Sequence, residues 1–439
     1  MYENADKNFK SASIHMFGIE YAPYITDNVS LKEIVNIAGI NDSYRSEITK
    51  GINIYKCLVS GKYDLQYSQL RKTEPAQSVF SINTNLPFSL KSFSQKNSPY
   101  AARYITSLLA KPFVILAGNS GTGKTKIALD FASWLEKKTN SGITNSLIIP
   151  VGADWTDNTK ILGYFNPLSN DGTGEYVKSD VLNFVETANA NPQIPFFLIL
   201  DEMNLSHVER YFSDFLSAME SRKPIPLYKK PAGCECSAKE LVALPENLFV
   251  TGTVNIDETT YMFSPKVLDR ANVIEFSPEK DDVLKIFTDE IDISQNSSAP
   301  GGTAESFVAL SKKVRKFENK PNGETGELFK SIFGELYDIL KPAGFEFAYR
   351  TTKEIMLYYC AAKSLDSEIS TMQIIDEQIV QKILPKIHGN KKQIGEMLFK
   401  LKNKLEEFSN EHNFELKLSQ AKVQSMIEKL EKFQYASFI

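Results

Sequence analysis

Gly118-Asn119-Ser120-Gly121-Thr122-Gly123-Lys124-Thr125 decides how this chain is read. The octapeptide fits GxxxxGK[ST]. Its flanks are those the pattern requires, the strand-like Phe113–Ala117 (FVILA) before it and the helix-like KIALDFASWLEKK after it. Glycines let such a loop curl so that successive backbone N–H groups point at phosphate oxygens, and the following helix N-terminus adds a favourable dipole. Lys124 would then reach the β- and γ-phosphates and Thr125 would offer its hydroxyl to Mg²⁺.

Working outward, four further short apolar runs have the length of buried strands: Leu147–Val151, Phe196–Leu200, Leu248–Thr253 and Asn272–Phe276. Strand runs alternating with helical segments from about Ser98 to Pro278 predict an α/β domain with a mainly parallel sheet. The run Phe196–Leu200 ends in Asp201-Glu202, placing two carboxylates at the C-terminal tip of a strand, the edge where ligands sit in open α/β sheets. Asp201 suits Mg²⁺ through its water shell, and Glu202 suits the water that attacks the γ-phosphate. The run Leu248–Val254 ends in Asn255, which can hold that water, although an Asn/Asp turn closing a strand has the same composition. Trp155, in the polar stretch Ala153–Asn158, either packs under its loop or presents a ring to a pore or partner.

After the Ser/Gly/Pro-rich connector Ser294–Thr303, apolar residues recur at helical period in Glu305–Phe317, Glu327–Leu340, Thr351–Ala362, Asp376–Leu384, Lys391–Phe408 and Leu418–Phe433. Three regions follow: residues 1–95, of uncertain fold; an α/β nucleotide-binding domain over 96–295; and a helical lid domain over 296–439. Residues 1–95 carry ten basic and nine acidic side chains, so they lack the basic stripe of an autonomous DNA reader.

Composition bounds the rest. The 439 residues, 42% hydrophobic and 24% charged, can build sizeable cores, and at about 100–200 residues per domain they suggest two or three of them. A net charge of −4 and a pI near 5.8 give no global attraction to DNA or anionic lipid. Cys57, Cys234, Cys236 and Cys360 are too few and too irregular for a disulfide framework or a four-ligand zinc site, which predicts a reduced, cytoplasmic setting. No apolar run approaches the ~18 residues of a membrane span.

Taken together the residues resemble the AAA+ ring ATPases, and within them the McrB-type GTPase subunit of modification-dependent (type IV) restriction systems. The matches outside the phosphate loop are Asp154-Trp155-Thr156-Asp157-Asn158 with Leu162-Gly163-Tyr164-Phe165-Asn166-Pro167, Leu200–Leu205, the single helix expected at His207–Glu220, Pro245-Glu246-Asn247, and Ser264–Ala271. Resemblance is strong over Ala101–Phe276 and reaches Phe347–Ile355 more weakly.

The resemblance implies an AAA+ P-loop core and lid, Mg²⁺ with GTP or ATP, and a hexameric ring with nucleotide between neighbouring subunits. It further implies an McrC-like nuclease subunit and DNA engaged through that complex; the lack of a long apolar run separately predicts no membrane partner. Asn255 takes the sensor role, Arg270 the finger that reaches a neighbour's γ-phosphate, and Arg350 a second sensor on the lid side. A MoxR-like remodelling chaperone shares the same core and is the competing reading. One departure stands out: where the family usually has Met-Asn-Thr-x-Asp-Arg, this chain has Val254-Asn255-Ile256-Asp257-Glu258-Thr259. Asn255 carries over and the adjacent arginine is missing, so GTP is favoured over ATP by resemblance alone.

Overall fold

Phe113–Gly118 (β1) forms where the sequence reads FVILAG, and all six residues are buried. A strand apolar on both faces belongs inside a parallel sheet covered on both sides, and β1 has that position. Its neighbours are Leu248–Asn255 (β4) and Asn272–Phe276 (β5), both parallel to it. Phe196–Asp201 (β3) and Ser146–Pro150 (β2) complete a five-stranded parallel sheet of order β2-β3-β4-β1-β5. The most exposed strand, β2, is one of the two edges and ends in Pro150, as an edge permits.

The structure is a computed structural model that describes residues 31–32, 35, 41, 43–59, 89–91, 93, 100–135, 144–169, 174–230, 238–256, 261–278, 280–284, 287, 298–317, 321 and 323–438. The chain forms two compact units, residues 1–79 and 80–439. In the first, a helix spans Tyr44–Val59, where the sequence suggests one near Tyr44–Leu58; the helix that the sequence also suggests at Leu31–Ala38 falls largely outside the described residues.

In the second unit, Ala101–Ala110 (α1), Lys124–Trp134 (α2) and Asp180–Ala190 (α3) accompany the sheet. Ser179 caps α3, its hydroxyl accepting from the N–H of Leu182. The α2 face buries Phe131, whose ring meets Phe93, Tyr104, Trp134, Phe197 and Phe307 edge-on or stacked. Phe307 belongs to Thr303–Arg315 (α4), so the first helix after the connector packs on the sheet itself. Arg315, at its end, donates to Leu108 O and Glu246 O.

The remaining helices are Gly323–Leu340 (α5), Tyr349–Leu365 (α6), Thr371–Gln378 (α7), Lys391–Glu411 (α8) and Lys417–Phe433 (α9). A capping box at Asn390 and Gln393 starts α8. Two expected helices differ. Asp376–Leu384 is instead the end of α7, a π-helical turn Ile379–Ile383 and a 3₁₀ turn Leu384–Lys386, with Pro385 unable to continue an α-helix. The single helix expected from His207 divides into Val208–Tyr211 and Ser213–Ser221. The break lets both adjacent aromatics be buried: Tyr211 meets Trp155 edge-on and donates to Met203 O, while Phe212 stacks on Phe215. Trp155, 7% exposed, packs under its loop.

Candidate functional site

Parallel register sets the site before any side chain is considered. Gly118, where β1 ends, is level with Asn255, where β4 ends, and Leu200 is level with Gly252. Three strand tips, bearing the phosphate loop, the acidic pair and Asn255, therefore share the C-terminal edge of the sheet. Gly118 has no room for a side chain there, since a Cβ would lie 2.5 Å from Phe276 O. Gly121 and Gly123 take positive φ of 78° and 90°, and Gly123 leads directly into α2.

Lys124 is 5% exposed, and its Nζ lies across the loop, donating to Gly118 O at 2.9 Å and Asn119 O at 2.6 Å. Thr125, one residue into α2, donates its hydroxyl to Asp201 Oδ1 at 2.8 Å. Thr253 donates to the same oxygen at 2.7 Å, and its Oγ1 in turn accepts from the Glu202 N–H at 3.0 Å. Glu202 itself has φ 52° and ψ 48°, a left-handed conformation uncommon for a residue with a side chain. This turn carries its carboxylate to Asn255, whose Nδ2 donates to Oε1 at 3.0 Å.

The expected residues Gly118, Lys124, Thr125, Asp201, Glu202 and Asn255 thus form one hydrogen-bonded constellation with the Asn119, Ser120, Gly121, Thr122 and Gly123 backbone around it. Among the described residues no group of three or more His, Cys, Asp or Glu side chains could hold a metal. The donors beside the loop are the Thr125 hydroxyl and one Asp201 carboxylate, hard oxygen ligands of the kind that bind Mg²⁺ together with phosphate oxygens.

Arg270 and Arg350 lie elsewhere. Asn272 is level with Val114, so Arg270, just before β5, sits at the N-terminal edge of the sheet, opposite the phosphate loop. Its Nη1 donates to Lys266 O at 2.8 Å and its Nη2 pairs with Glu220. Arg350, in the first turn of α6, pairs with the other oxygen of the same carboxylate. Arg350 is therefore grouped with Arg270 and not with Lys124. Asp257 lies outside the described residues.

Three contributors were not singled out in the sequence. Thr253 lies within the strand run Leu248–Thr253, and Glu220 closes the helix expected at His207–Glu220. Tyr100, just ahead of α1, stacks on Phe276 with ring centres 4.3 Å apart, and its hydroxyl accepts from the N–H of Ser277 at the end of β5. An aromatic just before a helix that leads into the phosphate-loop strand was the available signal.

Comparison with known proteins adds four similarities. Residues 1–61 match an HTH-like domain, and residues 295–435 match a domain of unknown function (DUF8727). Over 149 residues the chain is 26% identical to the type IV methyl-directed restriction enzyme EcoKMcrB subunit of Escherichia coli (strain K12), covering 34% of this chain and 31% of that protein. The chain thus matches under a third of that relative's length. It is also similar to the crystal structure of a candidate ATPase from Cytophaga hutchinsonii, with a TM-score of 0.47 and 15% identity over 73% of this chain and 91% of that one. No helix among the described residues is long and apolar enough to cross a membrane. The phosphate loop, the acidic strand tip and Asn255 thus share one edge of a parallel sheet, in a chain whose similarity to the McrB subunit covers about a third of its length.

Proposed function

We propose that this chain is an McrB-like AAA+ nucleoside triphosphatase that closes into a ring with copies of itself and drives a partner nuclease in the restriction of foreign DNA. The observation that carries the reading is the constellation Thr125–Asp201–Thr253 with Glu202–Asn255 beside the phosphate loop. In it, residues 96–295 act as motor core and residues 296–439 as lid. The loop amides and Lys124 bind the phosphates, Thr125 and Asp201 hold Mg²⁺, and the ion's role is to neutralise charge on the phosphate oxygens. Glu202 takes the proton of the attacking water, and Asn255, bonded to Glu202, fixes where that water sits.

Arg270 acts on a neighbour. Its place at the opposite sheet edge keeps it from its own phosphate loop, so its guanidinium meets a γ-phosphate only when a second copy is docked. Arg350, sharing Glu220 with it, acts from the same side. Tyr349, next in sequence to Arg350 and 95% exposed, gives that surface an apolar contact for the neighbouring copy. The Tyr100–Phe276 stack beside Gly118 offers the purine an aromatic wall.

Calorimetric titration of the purified protein with slowly hydrolysed GTP and ATP analogues in Mg²⁺ tests the reading. The expected result is a guanine preference of tenfold or more, about 1.4 kcal/mol, lost in Lys124→Ala. An adenine preference would retain the motor and transfer the assignment to the remodelling class, and binding of neither analogue would end the nucleotide reading altogether.

A further inference from the structure

Beneath Arg270 lies a cluster of charge closed off from solvent. Lys111 lies two residues before β1, Glu354 is on α6, and Lys382 is delivered by the π-helical turn Ile379–Ile383. The Lys382 side chain is 0% exposed, and those of Lys111 and Glu354 are 13% and 11% exposed. Glu354 pairs through one oxygen with Lys111 and through the other with Lys382, at 2.5 Å.

The lysines give further donors to main chain. Lys382 Nζ donates to Ala271 O at 2.8 Å and to Asp269 O at 3.4 Å, and Lys111 Nζ donates to Asp269 O at 3.2 Å. Those two carbonyls flank Arg270. Lys386 then pairs with the Asp269 side chain. Glu354 is one helical turn beyond Arg350, so the helix whose first turn carries Arg350 is tied to the main chain on both sides of Arg270.

Such a cluster is a poor way to gain stability. Burying two ammonium groups against one carboxylate carries a desolvation cost that well-packed apolar side chains would avoid. Burial and mutual repulsion pull Lys111 down to about 7, and burial lowers Lys382 as well. What the arrangement supplies is geometry.

We propose that Lys111, Glu354 and Lys382 are positioning residues for Arg270: they hold the carbonyls of the residues on either side of it and lock α6 to the same point. Arg270 and Arg350 then meet the neighbouring copy's nucleotide as one rigid pair. The inference rests on the reading of Arg270 as acting on a neighbour, and the test separates the two.

Lys382→Met and Glu354→Gln subunits are assayed for triphosphate hydrolysis alone and mixed with excess Glu202→Gln subunits, which retain Arg270 but do not hydrolyse. Arg270→Ala serves as the reference. Alone, each variant is expected to lose kcat by about 10- to 100-fold with KM little changed, the cost of a misplaced catalytic group. Mixed, each is expected to recover, because its own phosphate site is intact and the donor's Arg270 completes it. Parental kcat in both variants alone would overturn the proposal, as would failure of the donor to restore them while it restores Arg270→Ala. If Arg270→Ala itself is not restored, the neighbour-acting arginine is wrong and the positioning role goes with it. Should Lys382→Met fail to fold, Glu354→Gln, which keeps the shape and one of the two acceptor oxygens, carries the same arms.

Discussion

At Glu202 two demands meet. The peptide must leave the sheet sharply after β3, and the carboxylate must face Asn255; φ of 52° satisfies both, with the N–H held by Thr253 Oγ1 at 3.0 Å. Replacing Glu202 by Gln keeps the shape and the bond to Asn255 while removing the base. Turnover should fall by about 10²-fold or more, with analogue affinity by calorimetry within twofold of the parent; parental turnover would remove Glu202 from the chemistry. Thr253→Val tests its support. The substitution removes an isosteric hydroxyl that bonds both Asp201 and Glu202, leaving a part-buried N–H without its acceptor, and urea unfolding should show a loss of about 1–3 kcal/mol. Asp201, Glu202 and Asn255 were legible in the sequence because each closes an apolar run, and the end of a buried parallel strand is where polar residues face a ligand. Thr253 was hidden because threonine inside a strand satisfies β-propensity with no functional signal. Glu220 was hidden because its partners lie 50 and 130 residues away, a pairing that only the tertiary fold creates.

At the scale of elements, the five strands were readable as continuous apolar runs, and their ends agree with the structure to within about two residues, the usual ambiguity of element boundaries. Helices were less legible where tertiary demands interrupt the 3.6-residue period. The segment after α7 reads as helix by its apolar spacing, yet it winds as a π turn that directs Gln381 to Ser107 and Lys382 to Ala271 O. The junction of that turn with β1 and α6 has a consequence for stability. Lys111 faces Lys382 and Arg350, which with burial lower its pKa, and Glu354, which opposes them; the balance takes it from 10.5 to about 7. Between those values the unfolded chain holds a proton that the folded chain has released, so stability contributed by this group rises as pH increases from about 7 towards 10.5. Lys382 is shifted in the same direction. Glu354 is lowered, and its contribution is lost only as pH falls through the acid range. The difference in urea midpoint between parent and Lys111→Met should therefore change with pH between 7 and 9, the parent gaining on the variant; a pH-independent difference would mean that Lys111 keeps an ordinary pKa.

In the whole molecule, the two ends of the sheet carry different groups. The phosphate loop follows Gly118 at one end, and Arg270 precedes Asn272, level with Val114, at the other. At about 3.3 Å per strand residue the separation along β1 is roughly 15 Å, and the Arg270 guanidinium is held by Glu220 and Lys266 O on its own side. On the proposed function, a single copy carries both halves of a hydrolytic site facing different directions. Joining head to tail brings one copy's Arg270 to the next copy's loop, and repeating that contact closes a ring or extends a filament. Hydrolysis per subunit should then depend on protein concentration. On serial dilution the specific turnover should collapse over the same range in which sedimentation with a slowly hydrolysed analogue shows the assembly dissociating, while nucleotide binding persists in the separated copies. Arg270→Ala should bind nucleotide like the parent yet show low turnover at every concentration, since assembly no longer supplies the missing charge. A parental chain that hydrolyses as fast per subunit when dispersed as when assembled would mean that its site is complete in one copy, and that the arginine pair at the far edge has another purpose.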